Sequence, residues 1–427
     1  MNLKRGGRRL SGLALILAVA SGAWAASEKV LYAFQGTDGS VPTSVIIGPD
    51  GALYGTTVAG GANSCGGNGC GVVFRLTQGA DGKWDEMVLH DFAGSDGQYP
   101  NGALVADKAG NLYGTTVYGG SSCSDPGCGV VFELVRGSAG EWTFEVLHNF
   151  ALTDGANPYA GMTFDSKGNL YGTTSLGGNT SECNPPEGCG VVFEMTDANG
   201  AWTETMLYSF LAKDGALPYA PLTLDADRNL YGTTEWGGAY DAGTVFKLSP
   251  RRHGQWNEEV LHSFSSDTKD GGQPTYGVIF DGLGNLYGAT TFGGTEGQQG
   301  WGTAFRLTPE KNGKWKETVL RTFDRAKAGG GFVSSGVILD AGGNLYGSTG
   351  SGGKCNNCGV VFKLTPRAKG NWGDIILHSF EGNDGEGPGG GLVFDSAGRL
   401  LGVTHIGGNT GGPCGQGGCG VVYEITP

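Results

Sequence analysis

The sequence predicts an all-β fold: a seven-bladed β-propeller of four-stranded blades, closed when the N-terminal strand joins the last blade. Three observations carry this. Glycine fills 84 of 427 positions, against about 7% in average proteins. One unit recurs seven times along the chain. The two ends of the chain are out of phase with that unit. The glycine content excludes a helical protein, since each interior Gly costs a helix about 1 kcal/mol relative to Ala. Only 16 Pro argue against collagen, and 38% hydrophobic residues argue against disorder.

The elements follow in chain order. Lys4, Arg5, Arg8 and Arg9 precede the apolar run Leu13 to Ala20, and Ala23-Trp24-Ala25 offers a small-x-small cleavage site. Residues 1–25 therefore read as a secretory signal, too short to span a bilayer. Arg8-Arg9 admits a twin-arginine signal, but the rest of that motif is weak, and no Cys at the cleavage site suggests a lipoprotein. Residues 26–427 form one repeat domain, with no later run of about 20 apolar residues. Loss of the leader's four basic residues takes the formal charge from −13 to −17. That disfavours nucleic acid and anionic membranes as partners.

Leu-Tyr-Gly-Thr-Thr or a variant begins at Leu53, Leu112, Leu170, Leu230, Leu286, Leu345 and Leu400, at steps of 55–60 residues. Gly-Val-Val-Phe-x-Leu-Thr variants begin at Gly71, Gly129, Gly190, Gly243, Gly302, Gly359 and Gly420. Val-Leu-His-x-Phe variants begin at Val30, Val88, Val146, Met206, Val260, Val319 and Ile376. With a segment such as Gly391 to Asp395, these make four strands of about six residues per unit, rich in β-branched and aromatic residues. Strands one and two are joined by short links such as Asp165 to Asn169, where Gly-Asn suits a turn of positive φ. The domain opens on a fourth strand, Val30 to Phe34, and closes on a third, Gly420 to Thr426. Pairing the two yields seven complete sheets in a ring. An open solenoid would gain nothing from that offset and would need polar caps.

The markers Leu-Tyr-Gly-Thr-Thr-x-x-Gly-Gly and Gly-Val-Val-Phe-x-Leu resemble the tandem repeats of GloVer-containing, choice-of-anchor proteins, over residues 28–427. The resemblance implies an exported protein and no established catalytic residue. Some members carry a C-terminal anchor. Here Pro427 directly follows the last strand, so a secreted or periplasmic monomer is expected.

All ten Cys fall between strands two and three, as Cys65 with Cys70, Cys123 with Cys128, Cys183 with Cys189, Cys355 with Cys358, and Cys414 with Cys419. Two units lack both members, as local disulfides predict. Zinc is the competing reading, but two thiolates fill half a tetrahedral site. Cys355–Cys358 spans the shortest loop and is the pair expected to be strained or absent.

His90, His148, His262 and His378 share one repeat position, on separate blades, which suits packing rather than a shared metal. His253 and His405 occur singly without an evident partner. Trp84, Trp142, Trp202, Trp256, Trp315 and Trp372 open strand four and are read as blade packing.

Asp38, Asp96, Asp154, Asp214, Asp270 and Asp384 each precede Gly in the loop between units, with a Pro close behind. A partial ring of carboxylates at the channel mouth is a candidate Ca²⁺ site, the only cofactor expected. Capping of each turn by its own Asp is the alternative. Aromatic residues that break the symmetry are candidate ligand contacts: Tyr118, Trp236 and Phe292 after the Leu-Tyr-Gly motif, Trp301 and Tyr240 in the units without Cys, and Tyr159, Tyr219 and Tyr276 after Pro. They suit stacking on sugar rings or an interface with an envelope protein, around units three to five, or they fill gaps between blades. No nucleophile, zinc or phosphate-loop motif stands out. Three functions follow: a non-catalytic binding scaffold for glycan or envelope protein, a polysaccharide hydrolase or lyase using carboxylates from different blades, or a purely structural surface protein.

Overall fold

The computed structural model describes residues 26–427 apart from 182, 184–186, 268–269, 295–299, 325–328, 356, 410 and 412–413. The expected leader, residues 1–25, lies outside the described residues. The chain forms seven antiparallel blades, each built outward from the ring axis. Blade 1 contains Ser40–Ile47, Leu53–Ala59, Val72–Gln78 and Trp84–Asp91. Blades 2 to 6 repeat that order. Blade 7 takes Glu386–Phe394, Leu400–Ile406 and Val421–Thr426 from the C-terminal end and Ser27–Ala33 from the N-terminal end. Ser27 lies opposite Thr426, and Val30 opposite Tyr423. The ring is therefore closed by one strand plus three, as the phase of the termini predicts. Among the described residues no helix is long and apolar enough to cross a membrane.

The innermost strands depart from expectation. In blades 2 to 5 they shrink to two residues each: Val105–Ala106, Thr163–Phe164, Thr223–Leu224 and Ile279–Phe280. Further back the chain bonds again along its own blade, as at Gln98 with Tyr118 and Ala156 with Leu176, and between the two stretches it takes bonds from the neighbouring blade. The hydroxyls of Thr56, Thr115, Thr173 and Thr233 donate to the carbonyls of Gly102, Ala160, Ala220 and Tyr276 on the next blade. The first Thr of Leu-Tyr-Gly-Thr-Thr is thus a bridge between blades at the axis.

The core lies between blades. Between blades 2 and 3, Tyr113, Val131 and Phe150 meet Met162, Leu170, Phe193 and Met195. The recurrent Trp packs against the Tyr of the preceding blade, as in Tyr54–Trp142 and Tyr113–Trp202, with centroids 5.9 and 5.6 Å apart. Burial of such large rings dominates the energy of each seam.

Backbone clasps complete the seams. The residue before each loop Pro adopts a positive φ, as at Tyr99 (58°), Asn157 (56°) and Leu217 (57°). Its N–H donates to the carbonyl of the second Cys on the preceding blade: Tyr99 to Cys70, Asn157 to Cys128 and Leu217 to Cys189. In the units without Cys, Ala242 and Trp301 accept from Gln273 and Phe332. The Gly that opens the third strand lets this clasp close. At Gly129, φ is 90° and an added Cβ would lie 2.7 Å from Pro158 of the next blade.

All five cysteine pairs are bonded, with Cα atoms 5.1–5.7 Å apart. That includes Cys355–Cys358, the pair expected to be strained or absent.

Candidate functional site

The six loop aspartates do not line the axial channel. Each turns outward, towards the rim. Asp38 accepts from Tyr32 Oη at 2.6 Å and Asp214 from Tyr208 Oη at 2.8 Å. Asp96 and Asp384 meet His90 and His378 at 2.9 and 2.8 Å, while Asp154 and Asp270 lie 3.3 Å from His148 and His262. The second carboxylate oxygen of Asp38, Asp96, Asp154, Asp214 and Asp384 accepts a backbone N–H in its own turn. Where the loop Asp is missing, Arg321 takes the His position and pairs with Asp374 of the next blade at 3.1 Å.

A glutamate of the next blade completes five of these junctions. Glu28, Glu86, Glu204, Glu258 and Glu317 are each pushed up to about 7, first by burial and with help from the neighbouring aspartate, against which His148 pulls Glu204 down. Each leaves Oε1 covered and without a hydrogen bond. At the sixth junction Phe144 stands in the Glu position and stacks on His90 at 3.7 Å. Two junctions, His148–Asp154–Glu204 and Glu28–His378–Asp384, bring three donor atoms within 4.8 Å of one another. The same unit is built with tyrosine at Tyr32 and Tyr208, which makes it a seam between blades rather than a site particular to one place.

Departures from the repeat converge on the axis. Inner segments of all seven blades enclose a chamber of about 620 Å³. Its wall includes Val278, Ile279, Val337 and Ile338, the rings of Tyr159, Tyr219 and Tyr276, and Thr43, Ser44, Asn101 and Thr275. Among the described residues Glu235 and His405 are its only acidic or imidazole side chains. Beside it lies a second hollow of about 410 Å³, lined by Tyr118, Tyr159, Tyr219 and Trp236 together with Asn157, Ser175 and Glu187. Tyr159 and Tyr219 line both spaces, with ring centroids 4.9 Å apart. The Cys183–Cys189 loop supplies one side of this mouth through Cys183 and Gly188.

Four of the eight aromatic candidates thus share one hollow, built by blades 2 to 4, and Tyr276 joins two of them in the chamber. Phe292 and Trp301 instead sandwich Phe332, at 5.5 and 4.8 Å, and fill a gap between blades 5 and 6. Tyr240 stands apart in an open depression with His262 and Asp270. Sequence reasoning missed Glu235 and set His405 aside. Both follow Leu-Tyr-Gly-Thr-Thr or its variant directly, where the other blades carry Val58, Val117, Ser175, Thr291 and Gly350.

Burial shapes the chemistry of the chamber. It pushes the Glu235 carboxyl above the ordinary range, against the Trp236 side chain, and holds the His405 imidazole below its own. Tyr276 is pushed up to about 12 by burial, and Tyr219 to about 12 by burial and the Glu235 charge. These groups set hydrogen-bonding atoms beside aromatic faces.

A family model, the Gloeobacter/Verrucomicrobia repeat, matches residues 4–224, 123–328 and 224–427. No curated protein matches the chain. Among solved structures, a fungal alcohol oxidase of the AA5 family in complex with copper is similar at 15% identity and a TM-score of 0.54, covering 93% of this chain and 76% of that one. A Thermus thermophilus protein described as a putative oxidoreductase (glucose dehydrogenase) matches at 13% identity and a TM-score of 0.43, over 77% of this chain and 96% of its own. At 15% identity the likeness to the alcohol oxidase is one of fold.

Proposed function

The chain belongs to the Gloeobacter/Verrucomicrobia repeat family, and on that premise we propose that it is an exported, non-catalytic binding propeller that holds a glycan in the aromatic mouth of blades 2 to 4. One observation carries this reading. Tyr118, Tyr159, Tyr219 and Trp236 converge on a single hollow with Asn157, Ser175 and Glu187, although blade symmetry would spread them around the ring. Aromatic faces stack on the C–H faces of sugar rings, and the polar groups fix orientation. Five disulfides suit an oxidising compartment, in keeping with the leader read from residues 1–25.

Trp236 is 39% exposed and one of nine Trp, so the part of an emission change that disappears in Trp236→Ala reports on occupancy. Titration with immobilised and free glycans is expected to change that emission, and Trp236→Ala to weaken binding at least tenfold. Retention of an envelope protein by an intact mouth, with no glycan bound, would reject the glycan in favour of a protein partner. The enzyme alternative is favoured by one feature, the raised Glu235 carboxyl beside a mouth that also holds Glu187. Shortening of a bound oligosaccharide on prolonged incubation, lost in Glu235→Gln, would establish it.

A further inference from the structure

We propose that the axial chamber is a separate subsite, shaped for one neutral sugar residue at the end of a glycan lying in the mouth, with Glu235 and His405 as its specificity-determining groups. This rests on the glycan reading above and deepens it.

The chamber's size falls within the ~300–1,000 Å³ of small-ligand sites, and it adjoins the mouth, since Tyr159 and Tyr219 line both. Glu235 and His405 occupy the same repeat position, three blades apart. That position differs in most blades, whereas positions with structural duties recur: the loop Asp in six units and Leu-Tyr-Gly in six. A residue kept for packing a seam has no reason to become an acid in one blade and an imidazole in another.

The wall beside His405 is shared by blades 7 and 1, where Thr43 and Ser44 join Gly390 and Gly391. His405 packs over Gly389, where a Cβ would collide with its Nε2, and Gly390 abuts Thr43 and Ser44. Ser44 and His405 therefore line the chamber from adjoining blades.

The chemistry selects the ligand class. No Lys or Arg lines the chamber among the described residues, so an anion would be desolvated without a counter-charge. A neutral imidazole offers one donor and one acceptor, and the Glu235 carboxyl and Asn101 add more. Three tyrosine rings supply apolar faces. Neutral, hydroxyl-rich rings match this set, and acidic sugars do not.

The test is isothermal titration of the full chain with neutral gluco-, manno-, galacto- and xylo-oligosaccharides of one to six units, and with oligogalacturonates as the acidic control. The intact protein is expected to bind a neutral series and not the acidic one. Glu235→Gln and His405→Ala should each weaken binding at least tenfold. Gly391→Leu, which lines the chamber and whose Cβ meets nothing within 4 Å, should block it without disturbing the blades. Near-UV circular dichroism identifies any variant that fails to fold, and Gly391→Leu then decides. If Trp236→Ala weakens binding while all three chamber variants stay within twofold, the subsite is rejected and the mouth stands. If the chamber variants lose binding and Trp236→Ala does not, the mouth is rejected and the chamber stands. Preference for oligogalacturonates, or no binding of any series, overturns the proposal.

Discussion

At the scale of single residues, the junction glutamates tie stability to pH. Glu28, Glu86, Glu204, Glu258 and Glu317 rise from about 4.5 to about 7 on folding, so between those values the native state binds more protons than the unfolded one. Their contribution is complete below about pH 4.5 and is lost as pH rises through 7. Asp96 and Asp270 work in the opposite sense. Burial alone would raise them, but the imidazole and backbone hydrogen bonds prevail and hold them low. Their share is present above pH 4 and lost as pH falls through the folded value. Partial exposure of each Glu limits its effect to about 1 kcal/mol after screening. Thermal melts are therefore expected to peak near pH 5 and to fall by several degrees at pH 8. The triple variant Glu204→Gln, Glu258→Gln, Glu317→Gln should flatten that decline. An unchanged slope would show that these carboxyls titrate normally. The Trp-x-Glu spacing that carries this network is plain in the sequence. Its meaning is not, because the partner Asp belongs to a different blade.

At the scale of elements, the clasp between blades explains both what was legible and what was not. Turn glycines, the Leu-Tyr-Gly strands and the paired cysteines all follow from local chemistry that a sequence displays. The two-residue inner strands do not, because Thr115 Oγ1 reaching Ala160 O is a long-range bond with no periodic signature. Glu235 and His405 escape notice for a related reason: the side chain facing the axis lies one position before the one whose aromatic variation draws attention. Gly129→Ala tests the clasp. Its φ of 90° and the approach of Pro158 both penalise a side chain, so a loss of at least about 2 kcal/mol is expected. Gly140→Ala, at φ 94° with open space around it, should cost only about 1 kcal/mol. Equal losses in denaturant titrations would mean that the seam yields easily and the clasp contributes little.

At the scale of the whole molecule, seven units and an offset closure were readable because each unit repeats three markers and the termini fall between them. The structure adds the register of that closure. Thr426 stands opposite Ser27, so a short turn can join the two ends directly. A permuted chain that begins near Gly39 and carries residues 26–38 after Pro427 would hold blade 7 as four consecutive strands. It is expected to keep the native circular dichroism and its ligand, yet to unfold faster, since the ring would then rest on side-chain packing at one seam. Unfolding at the native rate would show that the shared strand adds no kinetic barrier.

That shared strand also sets a timetable. Val30 and Tyr423 pair across nearly the full length of the domain. At ~5–20 residues per second, the first is synthesised roughly 20–80 s before its partner exists. Throughout that interval Ser27–Ala33 has an open edge, and each early blade can assemble while the circle cannot. Closure of the circle therefore waits for Val421–Thr426, and a molecule cut short before that strand has no closed ring to reach.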